Sequence, residues 1–168
     1  MVKLQEMERK FLIKEPSKKL LDWFNYIDTI KIDQYYILIE DNKEMRVRRE
    51  IHKDDIQYLM TIKEGKGSIR QEIQFNISKA MYEYQREKAI GYVGKERMKY
   101  GIYGDLVADI DFFNDFIMVE VEFDNGWEYM EFDKEILEDL SKTEEIKEVT
   151  CNPKYYNCLL YTSPSPRD

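Results

Sequence analysis

The chain has 168 residues, of which 36% are charged, 43% hydrophobic and 14% aromatic, with a formal net charge of −8. This length suits one domain with a real core and is short for two, and the composition is globular rather than disordered. The acidic balance argues against general nucleic-acid binding, which needs a basic footprint, although 26 Lys and Arg leave room for a local basic pocket. No apolar run approaches the ~18 residues of a membrane helix. Met1 to Lys10 lacks the apolar stretch of a secretion signal. Cys151 and Cys158 suit neither a disulfide framework nor a metal cluster. A cytoplasmic protein off the membrane is expected.

In chain order, most segments read as strands. Alternation with period 2 recurs over Leu4–Ile13, Tyr35–Ile39, Glu44–Glu50, Gln57–Lys63, Ile69–Ile77, Lys95–Ile102, Val107–Phe113 and Phe116–Phe123. Three stretches read as helices: Lys18–Tyr26 after Pro16-Ser17, Lys79–Ala89 capped by Ser78, and Lys134–Leu140 capped by Asp133. Gly65 and Gly67 mark a turn between strands, and Asn125-Gly126 marks another. No solenoid repeat is present. The last segment, Cys158–Asp168, differs in composition and resembles the translation of a sequencing-library adaptor. It is read as non-native, leaving 1–157 as a single domain. About eight strands with peripheral helices predict an antiparallel barrel or a strongly curved sheet.

Charge occupies one face of these strands. Glu6, Glu8 and Lys10 share a parity, as do Arg46 and Arg48, Thr61 and Lys63, and Arg70, Glu72 and Gln74. The same holds for Lys95, Arg97 and Lys99, for Asp109 and Asp111, and for Glu120 and Glu122. The ordinary meaning of such a pattern is an apolar face in the core and charges in water. Two features favour the opposite. Carboxylates and bases are segregated by strand, and the pattern persists through nearly the whole chain. A closed barrel with charge inside, packed outward against helices, satisfies both, and its buried charges then need partners or ligands. A polyanion with divalent cations supplies them: Arg and Lys hold phosphate oxygens, and clustered carboxylates hold a hard cation. A membrane β-barrel also alternates, but aromatic girdles and an export signal are missing. His52 reads as a solvated loop residue, and Trp23 and Trp127 as packing residues.

These residues carry a family resemblance. Glu6-Met7-Glu8-Arg9-Lys10-Phe11 resembles the Glu-x-Glu-x-Lys signature of the CYTH superfamily, the triphosphate tunnel metalloenzymes. Gln34-Tyr35-Tyr36, Arg46-Val47-Arg48, Leu59-Met60-Thr61-Ile62-Lys63, Arg70-Gln71-Glu72, Lys95-Glu96-Arg97, Asp109-Ile110-Asp111, Val119-Glu120-Val121-Glu122-Phe123 and Glu148-Val149-Thr150 with Tyr155-Tyr156-Asn157 follow in the family's order. The opening is similar to that of short bacterial members. The resemblance implies an α+β fold built on a closed eight-stranded antiparallel β-barrel, the triphosphate tunnel, with peripheral helices. It implies a hydrolase of inorganic tripolyphosphate or a small organic triphosphate, such as a nucleoside or thiamine triphosphate, using Mg²⁺ or Mn²⁺. The alternatives are a class IV-type adenylate cyclase and a non-catalytic polyphosphate- or nucleotide-binding module. By the same resemblance, Glu6, Glu8 and Lys10 are catalytic; Lys10, Arg46, Arg48, Lys63, Arg70, Lys95 and Arg97 bind phosphate; and Glu6, Glu8, Glu72, Asp111, Glu120 and Glu122 bind metal. Gln74 departs from the family's Arg-x-Glu-x-Glu pattern, keeping an oxygen and losing a charge at one metal position. The expected partner is a small-molecule triphosphate, without nucleic acid or membrane, for a monomer or homodimer.

Overall fold

A computed structural model describes residues 5–114, 116–132, 142 and 144–155. In chain order its elements are β1 (Glu6–Ile13), α1 (Lys18–Phe24), β2 (Ile30–Glu40), β3 (Lys43–His52), β4 (Asp55–Glu64), β5 (Ile69–Asn76), α2 (Lys79–Arg86), β6 (Gly91–Tyr103), β7 (Leu106–Phe112), β8 (Ile117–Phe123), α3 (Gly126–Glu131), β9 (Lys147–Glu148) and a 3₁₀ turn at Pro153–Tyr155. This is the expected antiparallel, strand-dominated α+β architecture, with all eight expected strands present and a ninth of two residues. The helix expected over Lys134–Leu140, the closing Tyr156-Asn157 and the tail 158–168 lie outside the described residues. The chain forms two compact units, one containing Glu6 and Ile30–Gly94, the other Met7–Thr29 and Lys95–Thr150.

In the first unit, β2 to β5 form an antiparallel meander. Its register sets Gln34 opposite Arg48, Tyr36 opposite Arg46, Arg46 opposite Thr61, Glu44 opposite Lys63, and Lys63 opposite Glu72. Period-2 geometry then places all of these on one face. Gly65 and Gly67 supply the positive φ of the β4–β5 turn, 112° and 77°. On the opposite face, Tyr82 of α2 packs between Tyr35 and Tyr58, with ring centroids at 6.1 and 5.1 Å. Ser78 caps α2, accepting the Met81 amide at 3.1 Å. Ile56, Ile69, Ile73 and Phe75 stay exposed on that face.

In the second unit the strand order is β6-β7-β8-β1-β9. Phe11, Ile13, Ile110, Ile117, Val119, Val121 and Phe123 point to one face and form a core with Leu20 and Phe24 of α1, Phe132 and Ile146. Burying each such side chain is worth about 1.5–3 kcal/mol. Ser17 caps α1 by accepting the Leu20 amide at 3.2 Å, while Glu144 accepts the Ser17 amide and hydroxyl. The sequence reads Asn125-Gly126 as a strand-joining turn. Instead Asn125 caps α3, its side chain accepting the Glu128 amide at 2.9 Å. Asn serves hairpin turns and helix caps alike, and here the cap wins.

Candidate active site

The first unit's charged face is an interior surface, not a solvated one. Glu6, Glu44, Arg46, Arg48, Lys63 and Arg70 are all buried, and Glu50, Glu72 and Gln74 are half-buried. Lys63 Nζ lies 2.6 Å from Glu6 Oε1 and 3.0 Å from Glu72 Oε2, and Arg70 lies 3.5 Å from Glu6. Arg46 Nη1 donates to Glu44 at 3.1 Å and Arg48 Nη1 to Glu50 at 3.0 Å. Behind them, Gln34 accepts from Arg48 Nη2 and donates to the Tyr36 hydroxyl. Burial raises the Glu6 carboxyl, and Glu72 adds to that, yet Lys63 and Arg70 leave it below its ordinary value. Glu72 follows the same pattern: burial raises it, and Lys63, Arg46 and Arg48 bring it below its ordinary value. Burial lowers Arg46, but Tyr36, Glu44, Glu72 and Glu6 outweigh it and lock the guanidinium in its charged form. Its buried Nε finds no hydrogen-bond acceptor among the described residues, a vacancy that an anion's oxygen suits.

The second unit carries the complementary set. Its register pairs Glu8 with Glu122, Lys10 with Glu120, Arg97 with Asp111, and Lys99 with Asp109. Lys10 Nζ stands 3.2 Å from Glu8 and 3.6 Å from Glu120. Asp111, 0% exposed, is gripped by Lys95 Nζ at 2.5 Å and by Arg97 through Nε and Nη2 at 2.6 and 2.8 Å. Arg97 also reaches Asp109 at 2.6 Å and Glu120 at 3.7 Å. Burial raises the Asp111 carboxyl, but Arg97 and Lys95 bring it below its ordinary value.

The sequence expectation of a metal can be tested on this donor set. Glu8 and Glu122 are directly opposite, and Lys10 Nζ reaches Glu8 from the same strand. Among the described residues, no three His, Cys, Asp or Glu side chains converge on a metal-sized position. Mg²⁺ does not require three: it keeps waters and binds through one or two carboxylates together with substrate phosphates. The oxygen-only donors of Glu8, Glu120 and Glu122 therefore fit a hard cation. Both oxygens of Asp111, expected as a metal ligand, accept from Lys95 and Arg97 in the structure. Glu6 and Glu72 likewise sit on Lys63. Gln74 accepts from the Thr61 hydroxyl at 3.0 Å. Glu122 is exposed, and Lys99, which shares its strand's charged parity, is also exposed. Sequence reasoning gave no role to Gln34, Tyr36, Glu44 or Glu50. Extending the alternation outward from Arg46 and Arg48 by one strand and one step finds all four.

The CYTH domain family matches residues 4–156, and the chain belongs to this family. No curated protein matches it in sequence. Among solved structures, the PH1819 protein of Pyrococcus horikoshii OT3 is 17% identical with a TM-score of 0.60, covering 94% of this chain and 99% of its own. The HpAC1 protein of Hippeastrum, an adenylyl cyclase candidate with a dominant triphosphatase activity, is 14% identical with a TM-score of 0.61, covering 95% and 96%. An adenylate cyclase candidate from Bacillus halodurans is 16% identical with a TM-score of 0.55, covering 93% and 100%. At these identities the likeness is one of fold. Among the described residues, no helix is long and apolar enough to cross a membrane.

Proposed function

We propose that the protein is a divalent-metal-dependent triphosphatase of the cytoplasm, releasing orthophosphate from inorganic tripolyphosphate or a small organic triphosphate. The observation that carries this reading is the burial of Arg46, Arg48, Lys63 and Arg70 on one sheet face of a CYTH domain, with a guanidinium nitrogen of Arg46 left for an acceptor. Each base meets a carboxylate on that face, and the Arg46 nitrogen left over suits an anion's oxygen. Phosphoryl transfer asks a protein mainly for positioning and charge neutralisation.

In this reading Arg46, Arg48, Lys63 and Arg70 take phosphate oxygens, with Gln34 and Glu44 fixing the guanidinium planes. Lys95 and Arg97, held by Asp111, neutralise charge that develops on the phosphoryl oxygens. Glu8, Glu120 and Glu122 would hold Mg²⁺ or Mn²⁺, whose chemistry is to polarise a phosphoryl oxygen and lower the pKa of a bound water. Lys10, between Glu8 and Glu120, orients those carboxylates as part of the catalytic machinery.

A cyclase is the second reading, favoured by the names of two neighbours in the fold. Product analysis separates the two. The purified protein, given tripolyphosphate, ATP or thiamine triphosphate with Mg²⁺ or Mn²⁺, is expected to release orthophosphate. Cyclic AMP and pyrophosphate from ATP would establish the cyclase instead. Tripolyphosphate binding without turnover would establish a binding module.

A further inference from the structure

Arg9 lies on the apolar parity of β1, between Met7 and Phe11, where a charge is expensive unless fully satisfied. It is satisfied by two distant segments. Its Nε and Nη2 form a bidentate pair with Glu148 of β9, both at 2.7 Å. Its Nη1 donates to the carbonyls of Tyr129 and Phe132 at the end of α3. The guanidinium also sits 5.6 Å from the ring centroids of Phe11 and Phe132. Glu148 passes this hold onward. Its Oε1 accepts from the Thr150 hydroxyl at 2.8 Å, and the Thr150 oxygen accepts the Lys10 amide at 3.1 Å. Val149 donates its amide to the Lys10 carbonyl at 2.8 Å. Both backbone polar groups of Lys10 are therefore fastened to residues 149–150, at the point where its ammonium enters between Glu8 and Glu120.

We propose that Thr150 and Glu148, anchored by Arg9, are positioning residues for Lys10, so that the segment Ile146–Thr150 is a working part of the active site and not only an added edge strand. The inference rests on the reading above, in which Lys10 belongs to the catalytic machinery. A bidentate Arg–carboxylate pair fixes orientation as well as distance. A buried hydroxyl that accepts an amide on one side and donates to a carboxylate on the other transmits that fixed geometry to the backbone of Lys10.

Thr150→Val keeps the side-chain shape and removes the hydroxyl, whereas Thr150→Ser keeps the hydroxyl. The expected result with tripolyphosphate and Mn²⁺ is a fall in kcat of about tenfold for the valine variant, the kinetic equivalent of one buried donor left unpaired. KM should stay within about twofold, and the serine variant should stay near wild type. Equal kcat in the valine variant and wild type, or equal losses in valine and serine variants, would overturn the proposal. Glu148→Gln, at a side chain 39% exposed and tolerant of change, is a second variant should the valine protein fail to fold. It should lose about threefold in kcat, and no loss overturns the proposal. A wild-type protein that hydrolyses no triphosphate contradicts the functional reading alone. Amide hydrogen exchange then decides the inference: faster exchange at Lys10 in the valine variant, but not the serine variant, supports it, and unchanged exchange overturns it.

Discussion

In the unit built on β2 to β5, Arg46, Arg48, Lys63 and Arg70 meet Glu6, Glu44, Glu50 and Glu72. In the unit holding β1 and β6 to β9, Lys10, Lys95 and Arg97 meet Glu8, Asp109, Asp111 and Glu120, and Glu122 stands opposite Glu8. The first has three guanidinium forks and one ammonium in balance with their carboxylates, and a guanidinium nitrogen with no acceptor among the described residues. The second has more carboxylates than buried bases and a Glu opposite a Glu. In the proposed function the first sheet face takes the anion and the second the cation. Their apolar sides differ as well: the second unit closes a core around Phe11, Ile110 and Val121, while the first leaves Ile73 and Phe75 exposed beside α2.

That comparison predicts which variants change which kinetic constant. Glu8→Gln, in the carboxylate-rich unit, should cost on the order of a thousandfold in turnover and shift the metal concentration for half-activity. If Glu8→Gln altered only the KM for triphosphate, the division of labour would be wrong. Asp111→Ala removes the buried carboxylate that Lys95 and Arg97 share and should destabilise the fold by about 3–5 kcal/mol, read as a lowered denaturation midpoint. A stable variant with altered metal affinity would make Asp111 a metal ligand, as the family resemblance implies. Arg46→Ala should raise KM for tripolyphosphate by about 10- to 100-fold, the loss of a charge-assisted hydrogen bond, with the metal requirement unchanged. The smallest effect is on acid stability. Glu6, Glu72 and Asp111 have lowered pKa values in the folded state, so they bind protons less readily folded than unfolded. Their contribution is fully present above the ordinary carboxylate range and should be lost progressively below about pH 4, as chemical denaturation across pH would measure.

Most of this arrangement was legible in the sequence because strand parity is rigid: once Arg46 and Arg48 are taken to face inward, Glu44 and Glu50 must follow. What parity did not reveal was how each charge is neutralised. Asp111 looks like a ligand in sequence, since a carboxylate on an acidic strand suits a metal as well as a base. The register adds that it stands opposite Arg97. The anchoring of Arg9 was not legible in sequence, because its partners Tyr129, Phe132 and Glu148 are more than a hundred residues away. β2 extends back to Ile30, five residues before the expected start, because buried Gln34 masks the change from an apolar to a polar interior face. α3 was missed because its few residues carry no apolar period and its cap is an Asn-Gly pair.

The most direct test of the account is orthophosphate release from tripolyphosphate, measured against Mn²⁺ concentration for the wild-type protein, Glu8→Gln and Arg46→Ala. The account predicts saturable metal-dependent release by wild type, near-complete loss in Glu8→Gln, and retained metal dependence with a raised KM in Arg46→Ala. Release that persists in chelator, or no release by a folded wild-type protein, would contradict it.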